Sequence, residues 1–241
     1  MAEKPIPACE IDGRAVRVPV RVEPSRYEFP DARTAPAHGL VAAGGDFEPS
    51  TILEGYCQGI FPWPHGDEDE LWFSPDPRTV IPIGGLHVSR RLARRIRRRE
   101  FVATIDREFE RVLAACAERS EGTWITPGYR RAYLRLHEAG WAHSFEAWTT
   151  DGRLAGGLYG IAIGSLFGAE SMFHRVTDGS KFTMAAMMEY LEAQGFTVVD
   201  VQMMTPHLAS MGAVEVSRRE YLRKVAAAIA DEHRFVAAKS L

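Results

Sequence analysis

The chain has 241 residues, a formal net charge of −3 and three cysteines, with 46% hydrophobic and 25% charged residues. That length can bury a substantial core as one large domain or two smaller ones, and the balance of charge excludes a uniformly basic nucleic-acid binder. Cys9, Cys57 and Cys116 are widely separated and odd in number, which excludes a disulfide framework and a Cys/His zinc site. No apolar signal core and no long apolar run is present, so a reducing cytoplasm and no membrane span are expected.

Residues 1–26 are rich in Pro and Arg. Val16, Val18, Val20 and Val22 alternate with Arg17, Pro19 and Arg21, which fits an edge strand or a loose tail. A segment dense in Pro and Gly runs from Phe29 to Pro77. Within it Ser50–Gln58 reads as a short helix stopped by Gly59. Two aromatic clusters follow, Ile60–Pro64 and Leu71–Arg78. Aromatics held by prolines either pack a small core or form a stacking platform for a base or another ring.

Val80–Ile83 reads as a strand. Ser89 caps a helix over Arg90–Glu100 that carries Arg90, Arg91, Arg94, Arg95, Arg97, Arg98 and Arg99, with only Leu92 and Ile96 as an apolar stripe. A charge run is usually a solvated face. Seven arginines without an interleaved acid repel one another, however, and that favours a phosphate-binding face. Phe101–Ile105 is the next strand. Asp106 is placed to cap a helix through Arg119 with Phe109, Val112, Leu113 and Cys116 inside. Thr126 and Pro127 open a helix over Tyr129–Ala139, which Gly140 ends.

Ala142–Thr149 alternates as a strand. Leu154–Ile163 and Leu166–Phe173 then form a hairpin, with Gly164-Ser165 as a type II′ turn. Alternation puts Leu166, Gly168, Glu170 and Met172 on one face. A carboxylate on an apolar face is costly unless paired. Glu170 therefore either reaches water or a buried Arg, or it binds a cationic ligand group such as an amine. Gly156, Gly157, Gly160 and Gly168 indicate close backbone approach to a ligand or a packed element. A helix over Ser180–Gln194, a strand over Phe196–Gln202, a short helix over Thr205–Met211 and a last helix from the Ser217/Glu220 capping box to about His233 complete the chain. Asp200 and Gln202, two apart at a strand's end, face one side, where they polarise a nucleophile or cap the next turn.

This order predicts an α+β protein: a small N-terminal domain, residues 27–77 after the tail of 1–26, and a GNAT-like acyltransferase domain, 78–241, with a mixed, largely antiparallel sheet flanked by helices. Neither G-x-x-x-x-G-K nor G-x-G-x-x-G occurs. Ser171 is not in a G-x-S-x-G elbow, and His143 and Ser144 point to opposite faces. The stretch His174–Ser180 lacks the [Q/R]-x-x-G-x-[G/A] loop of an acetyl-CoA enzyme, so the acyl donor is not expected to be coenzyme A. The rivals are an acetyl-CoA N-acetyltransferase, which that missing loop opposes, and a non-catalytic RNA-binding protein.

The motifs resemble the leucyl/phenylalanyl-tRNA–protein transferase family. The matching words are Gly39-Leu40 with Gly44-Gly45-Asp46, Gly59–Trp63, Ser74–Arg78, Gly122–Thr126, Ala142–Ser144, Gly156–Gly160, Glu170–Phe173, Ser180-Lys181, Asp200-x-Gln202 and His207–Ala213, in family order. Phe73 stands where a second Trp is usual and Ala169 where Gly is usual, and Phe182 follows Ser180-Lys181 as a third departure. None of the three removes a polar group from the expected site.

The resemblance implies an aminoacyltransferase. It would move Leu or Phe, with Met a third candidate, from Leu-tRNA or Phe-tRNA to the N-terminal Arg or Lys of acceptor proteins, forming a degradation signal. It implies no cofactor and no metal, and a cytoplasmic monomer is expected. Carried over by position, Glu170 holds the α-amino group of the transferred residue. Leu158, Phe173 and Ser171 of the hairpin surround it, and Trp63 and Trp124 hold the terminal adenosine. Asp200 and Gln202 form the catalytic pair, unless the tRNA's ribose hydroxyl moves the proton. Arg90, Arg91, Arg94, Arg95, Arg97 and Arg98 follow the acceptor stem.

Overall fold

A computed structural model describes residues 11–12, 19–64, 70–119, 122–231 and 235. In chain order the elements are β1 (Ile11–Asp12), β2 (Leu40–Ala43), α1 (Pro49–Cys57), β3 (Phe61–Pro62), β4 (Leu71–Phe73), β5 (Arg78–Ile81), α2 (Arg90–Arg97), β6 (Phe101–Ile105), α3 (Phe109–Ala117) and α4 (Pro127–Glu138). Then come β7 (Ala142–Thr149), β8 (Leu154–Ile163), β9 (Leu166–His174), α5 (Gly179–Ala193), β10 (Val198–Gln202), α6 (Pro206–Ala209), β11 (Val214–Val216) and α7 (Arg218–Ile229). A small sheet of order β2-β4-β3 stands beside an eight-stranded sheet of order β1-β6-β7-β8-β9-β10-β5-β11. The large sheet is mixed: β1–β6 and β9–β10 are parallel and its other pairs antiparallel. The protein is therefore α+β, with a small N-terminal domain and a mixed sheet flanked by helices.

Local chemistry sets the helix starts. Ser89, Thr126, Thr205 and Ser217 each accept the backbone N–H three residues on, as N-cap hydroxyls do. The expectation for Asp106 is overturned. Its carboxylate accepts the Ser144 N–H (2.8 Å) and meets the His143 ring (2.7 Å), so it ties the β6 end to β7. α3 instead starts at Phe109 behind Glu108, which provides no side-chain cap. At the β8–β9 turn Gly164 has φ +53°, the sign that a II′ turn needs at its first central position.

Apolar side chains pack on both faces of the large sheet. Tyr56 of α1, Phe109 of α3 and Tyr129 and Tyr133 of α4 pack with Tyr159 of β8 on one face. Met184, Met187 and Leu191 of α5 pack with Phe145 and Phe167 on the other. The close approach expected at Gly156 is to a packed element: a Cβ there would lie 2.6 Å from the Gly179 carbonyl carbon, at the start of α5. Of the valine alternation near the N-terminus, residues 16–18 lie outside the described residues, and 19–22 form no strand. Val20 is instead bonded through its backbone to Ala139 O and the Trp141 indole, both at 2.8 Å.

Candidate functional site

β9 and β10 run side by side only as far as the pair Gly168–Asp200. Beyond it β9 continues to His174, while β10 ends at Gln202. A cleft of about 320 Å³ opens there, within the range of small-molecule sites. Ala169, Glu170, Ser171 and Met172 form one wall and Val201, Gln202 and Met203 another, with Phe61 and Trp63 from the N-terminal segment, Trp124, Leu158, Arg119 and the α6 segment around them.

One irregularity in β9 shapes this wall. Tyr159 pairs with Ser171 and Gly160 with Ala169, which leaves Glu170 as an extra residue. A bulge of this kind re-aims side chains. Glu170 and Ser171 consequently both contact the α1–α3–α4 side, through Tyr56 and Arg119. Met172 packs with the α5 core. The expectation that Met172 shares a face with Glu170 is therefore corrected, because strict alternation fails across a bulge.

The Glu170 carboxylate is enclosed by phenols. Tyr56 OH donates to Oε1, and Tyr129 OH donates to Oε2 at 3.0 Å. Burial pushes its pKa up to about 7, and these hydrogen bonds oppose the rise. Both tyrosines are held well above the ordinary phenol value, chiefly by burial, and so stay protonated donors. Tyr133 stacks on Tyr129 with ring centroids 4.2 Å apart. Gly168 makes room for this arrangement, since a Cβ there would meet the Tyr56 ring at 2.7 Å. Sequence reasoning missed Tyr56 and Tyr129. At i, i+4 from Ile52 and Tyr133 they look like core stripes.

Asp200 is buried away from the cleft. Arg78 grips it in a two-pronged pair, Nε to Oδ1 at 2.8 Å and Nη2 to Oδ2 at 2.6 Å, and Tyr221 OH donates to Oδ2 at 2.9 Å. The Arg78 guanidinium is also sandwiched by the Phe61 and Tyr221 rings, at 4.5 and 4.4 Å. What Asp200 gives Gln202 is a backbone contact: Gln202 N–H donates to Oδ1 at 3.0 Å. Gln202 itself has φ +58°, a left-handed conformation costly for a non-glycine residue, and β10 shifts register against β5 just before it. Its side chain lines the cleft, and its Nε2 is buried without a hydrogen-bond partner among the described residues. His207 nearby also has an unpartnered, buried Nε2, and burial together with Lys181 and His174 lowers its pKa.

The structure thus brings Glu170, Ser171, Leu158, Trp63, Trp124 and Gln202 to one cleft. Trp63 and Trp124 are braced edge-on by Phe73 (5.5 Å) and Tyr129 (5.0 Å). Phe173 packs outside the cleft, against Gly157 and under Arg175. The arginine helix divides. Leu92 and Ile96 anchor it, while Arg91 and Arg95 pair with Asp178 at 2.5 and 3.4 Å. Arg90, Arg94, Arg97 and Arg98 stay exposed. Among the described residues no group of His, Cys, Asp or Glu is placed to hold a metal, and no helix is long and apolar enough to cross a membrane.

Comparison with known proteins assigns this architecture to a class of transferases. The family described as leucyl/phenylalanyl-tRNA protein transferase matches residues 80–226, and the N-terminal domain described under the same name matches 45–76. Relatives named leucyl/phenylalanyl-tRNA–protein transferase include one from Desulfatibacillum aliphaticivorans, 48% identical over 80% of this chain and 84% of its own. One from an Azoarcus strain is 51% identical over 81% and 85%, and one from Anaeromyxobacter dehalogenans 45% identical over 88% and 92%. The chain belongs to the leucyl/phenylalanyl-tRNA protein transferase family.

Proposed function

We propose that this enzyme transfers leucine or phenylalanine from aminoacyl-tRNA to the α-amino group of an acceptor protein that begins with Arg or Lys. The observation that carries the reading is Glu170: a half-buried carboxylate, gripped on both oxygens by phenols, and the one acidic residue among those that line the cleft. It supplies the one anionic group needed to hold the donor's α-ammonium, and the apolar wall with Leu158 receives the side chain. Trp63 and Trp124 offer flat faces to the terminal adenine.

The donor ester is already activated, so the enzyme's task is aminolysis. The acceptor amine attacks the ester carbonyl carbon, a tetrahedral oxyanion forms, and the bond to the ribose oxygen breaks. Positioning supplies most of the acceleration. Gln202 is not a base at neutral pH, and its amide oxygen serves to accept a hydrogen bond from the attacking amine. The proton lost by that amine goes to the ribose oxygen as it leaves. Asp200 acts as a positioning residue, holding the Gln202 backbone in its strained turn. Arg90, Arg94, Arg97 and Arg98 give a basic face for the acceptor-stem phosphates, which Arg91 and Arg95 orient through Asp178. The parting of the parallel pair β9–β10 within a mixed sheet supports reading the large domain as GNAT-like, with the cleft where acyl transfer takes place.

The test is incubation with labelled Leu-tRNA and two proteins that differ only in beginning with Arg or Ala. Label should appear on the Arg-initiated protein alone. Label on neither, with the tRNA intact, would refute the reading.

A further inference from the structure

Taking the cleft as the donor site, we propose that Arg119 anchors the phosphate at the 5′ side of the donor's terminal adenosine. Nothing in the motifs points to this residue, which lies just past α3. Its guanidinium is fixed at two points: Nη2 donates to Ser171 Oγ at 2.8 Å, and Nε donates to the Cys116 carbonyl at 3.3 Å. Arg119 lines the cleft, and these two bonds leave N–H groups of its guanidinium unused. Other arginines of this region have acidic partners: Arg175 pairs with Glu118 at 3.0 Å and Arg130 with Glu110 at 2.8 Å. Arg119 has none among the described residues. An exposed guanidinium held in place by a hydroxyl and a carbonyl, with no acidic partner among the described residues, is built to receive an anion.

The arrangement matches one ligand class. An aminoacyl-nucleotide carries a cation at its amino acid, a flat base, and an anion at its 5′ phosphate. The cleft carries a carboxylate at Glu170, flat rings at Trp63 and Trp124, and a guanidinium at Arg119. Glu170 and Arg119 do not pair with each other: the carboxylate goes to Tyr56 and Tyr129, the guanidinium to Ser171. The β9 bulge explains how both ends are served by adjacent residues, since it turns Glu170 and Ser171 to the same side. Ser171 then has a role as the hydroxyl that aims Arg119.

The test uses two probes, puromycin and puromycin 5′-phosphate, which differ in the phosphate alone. Wild-type protein should bind the phosphate-bearing probe roughly tenfold more tightly, the lower end for a charge-assisted hydrogen bond. Arg119→Gln, which removes the charge but keeps a polar side chain, should bind puromycin as wild type does and lose that preference, with an unchanged melting temperature. Arg119→Lys should recover part of it. The KM for an Arg-initiated acceptor peptide should stay within about twofold. Equal weakening of both probes would make Arg119 a wall residue only, and a preference that survives in Arg119→Gln would place the phosphate elsewhere. A rise confined to the peptide's KM would assign Arg119 to an acidic group of the acceptor. Each of these overturns the proposal. Failure of wild type to bind either probe would instead overturn the donor-site reading on which it rests.

Discussion

Glu170 and Gln202 both depart from regular strand geometry, one through a bulge and one through a left-handed turn, and both line the same cleft. The functional reading separates their roles cleanly. Glu170→Gln should weaken donor use by about 1.5–3 kcal/mol, tenfold to more than a hundredfold, while leaving acceptor KM alone. With its pKa raised to about 7, Glu170 loses its charge as pH falls below neutrality. Affinity for an aminoacyl-nucleotide analogue should therefore decline from pH 7 to 5 in wild type and stay flat in Glu170→Gln, as titration calorimetry would show. Gln202→Ala should lower kcat by about 10²-fold in single-turnover transfer with its melting temperature preserved. Asp200→Ala should behave differently. It strands the Arg78 guanidinium in the core, at a cost of about 3–5 kcal/mol, so its chief effect should be a fall in melting temperature. Spacing alone made Asp200 and Gln202 look equivalent. Only the long-range pairing with Arg78, 122 positions away in sequence, distinguishes them.

At the scale of elements, periodicity found β6, β7 and β8 at their observed bounds, and cap chemistry found the starts of α2, α4 and α7. It missed β1, β2, β3, β4 and β11, which are two to four residues long. Such strands are too short to alternate visibly, and proline and glycine surround several of them. The bulge was equally invisible, because Ala169, Glu170 and Ser171 carry no residue that demands it. Its spatial consequence can be tested through the glycine opposite Tyr56. Gly168→Ala would press a methyl group on that ring. It should loosen the Glu170 carboxylate and reduce donor affinity more than it reduces stability. The arginine helix makes a separate prediction. Arg94→Ala with Arg98→Ala should weaken tRNA binding and reduce the log–log salt slope by about 1 per lost phosphate contact. The same pair should leave puromycin binding unaltered, and an unchanged slope would make the helix a bystander.

At the scale of the molecule, buried charge ties the layers together. Arg78 and Asp200 join β5 to β10, and the Arg218 guanidinium holds the carbonyls of Ala32, Ala35 and Pro36, joining α7 to the N-terminal segment. On the far side of the sheet centre, Glu146 sits fully buried between Thr104 and Ser144 hydroxyls, each 2.5 Å away, and burial raises its pKa to about 7. A carboxyl whose folded pKa lies above its unfolded value adds stability below about pH 4.5, and that stability is lost as pH rises through 7. Glu146→Gln should accordingly gain stability relative to wild type between pH 5 and 8, as denaturant melts at each pH would show.

The overall architecture was legible because long, well-patterned strands and capped helices announce themselves locally. The cleft was legible as a set of residue types, but its geometry comes from contacts among α1, α3, α4, β9 and β10 that no local pattern encodes. The central claim is that this geometry binds the amino group of a charged tRNA and passes its amino acid to a protein N-terminus. The most direct measurement is single-turnover transfer from Phe-tRNA to an Arg-initiated peptide, comparing wild type with Glu170→Gln across donor concentrations. Wild type should form the Phe-Arg peptide, and the variant should need at least tenfold more donor to do so. Equal transfer by both at every donor concentration would contradict the account.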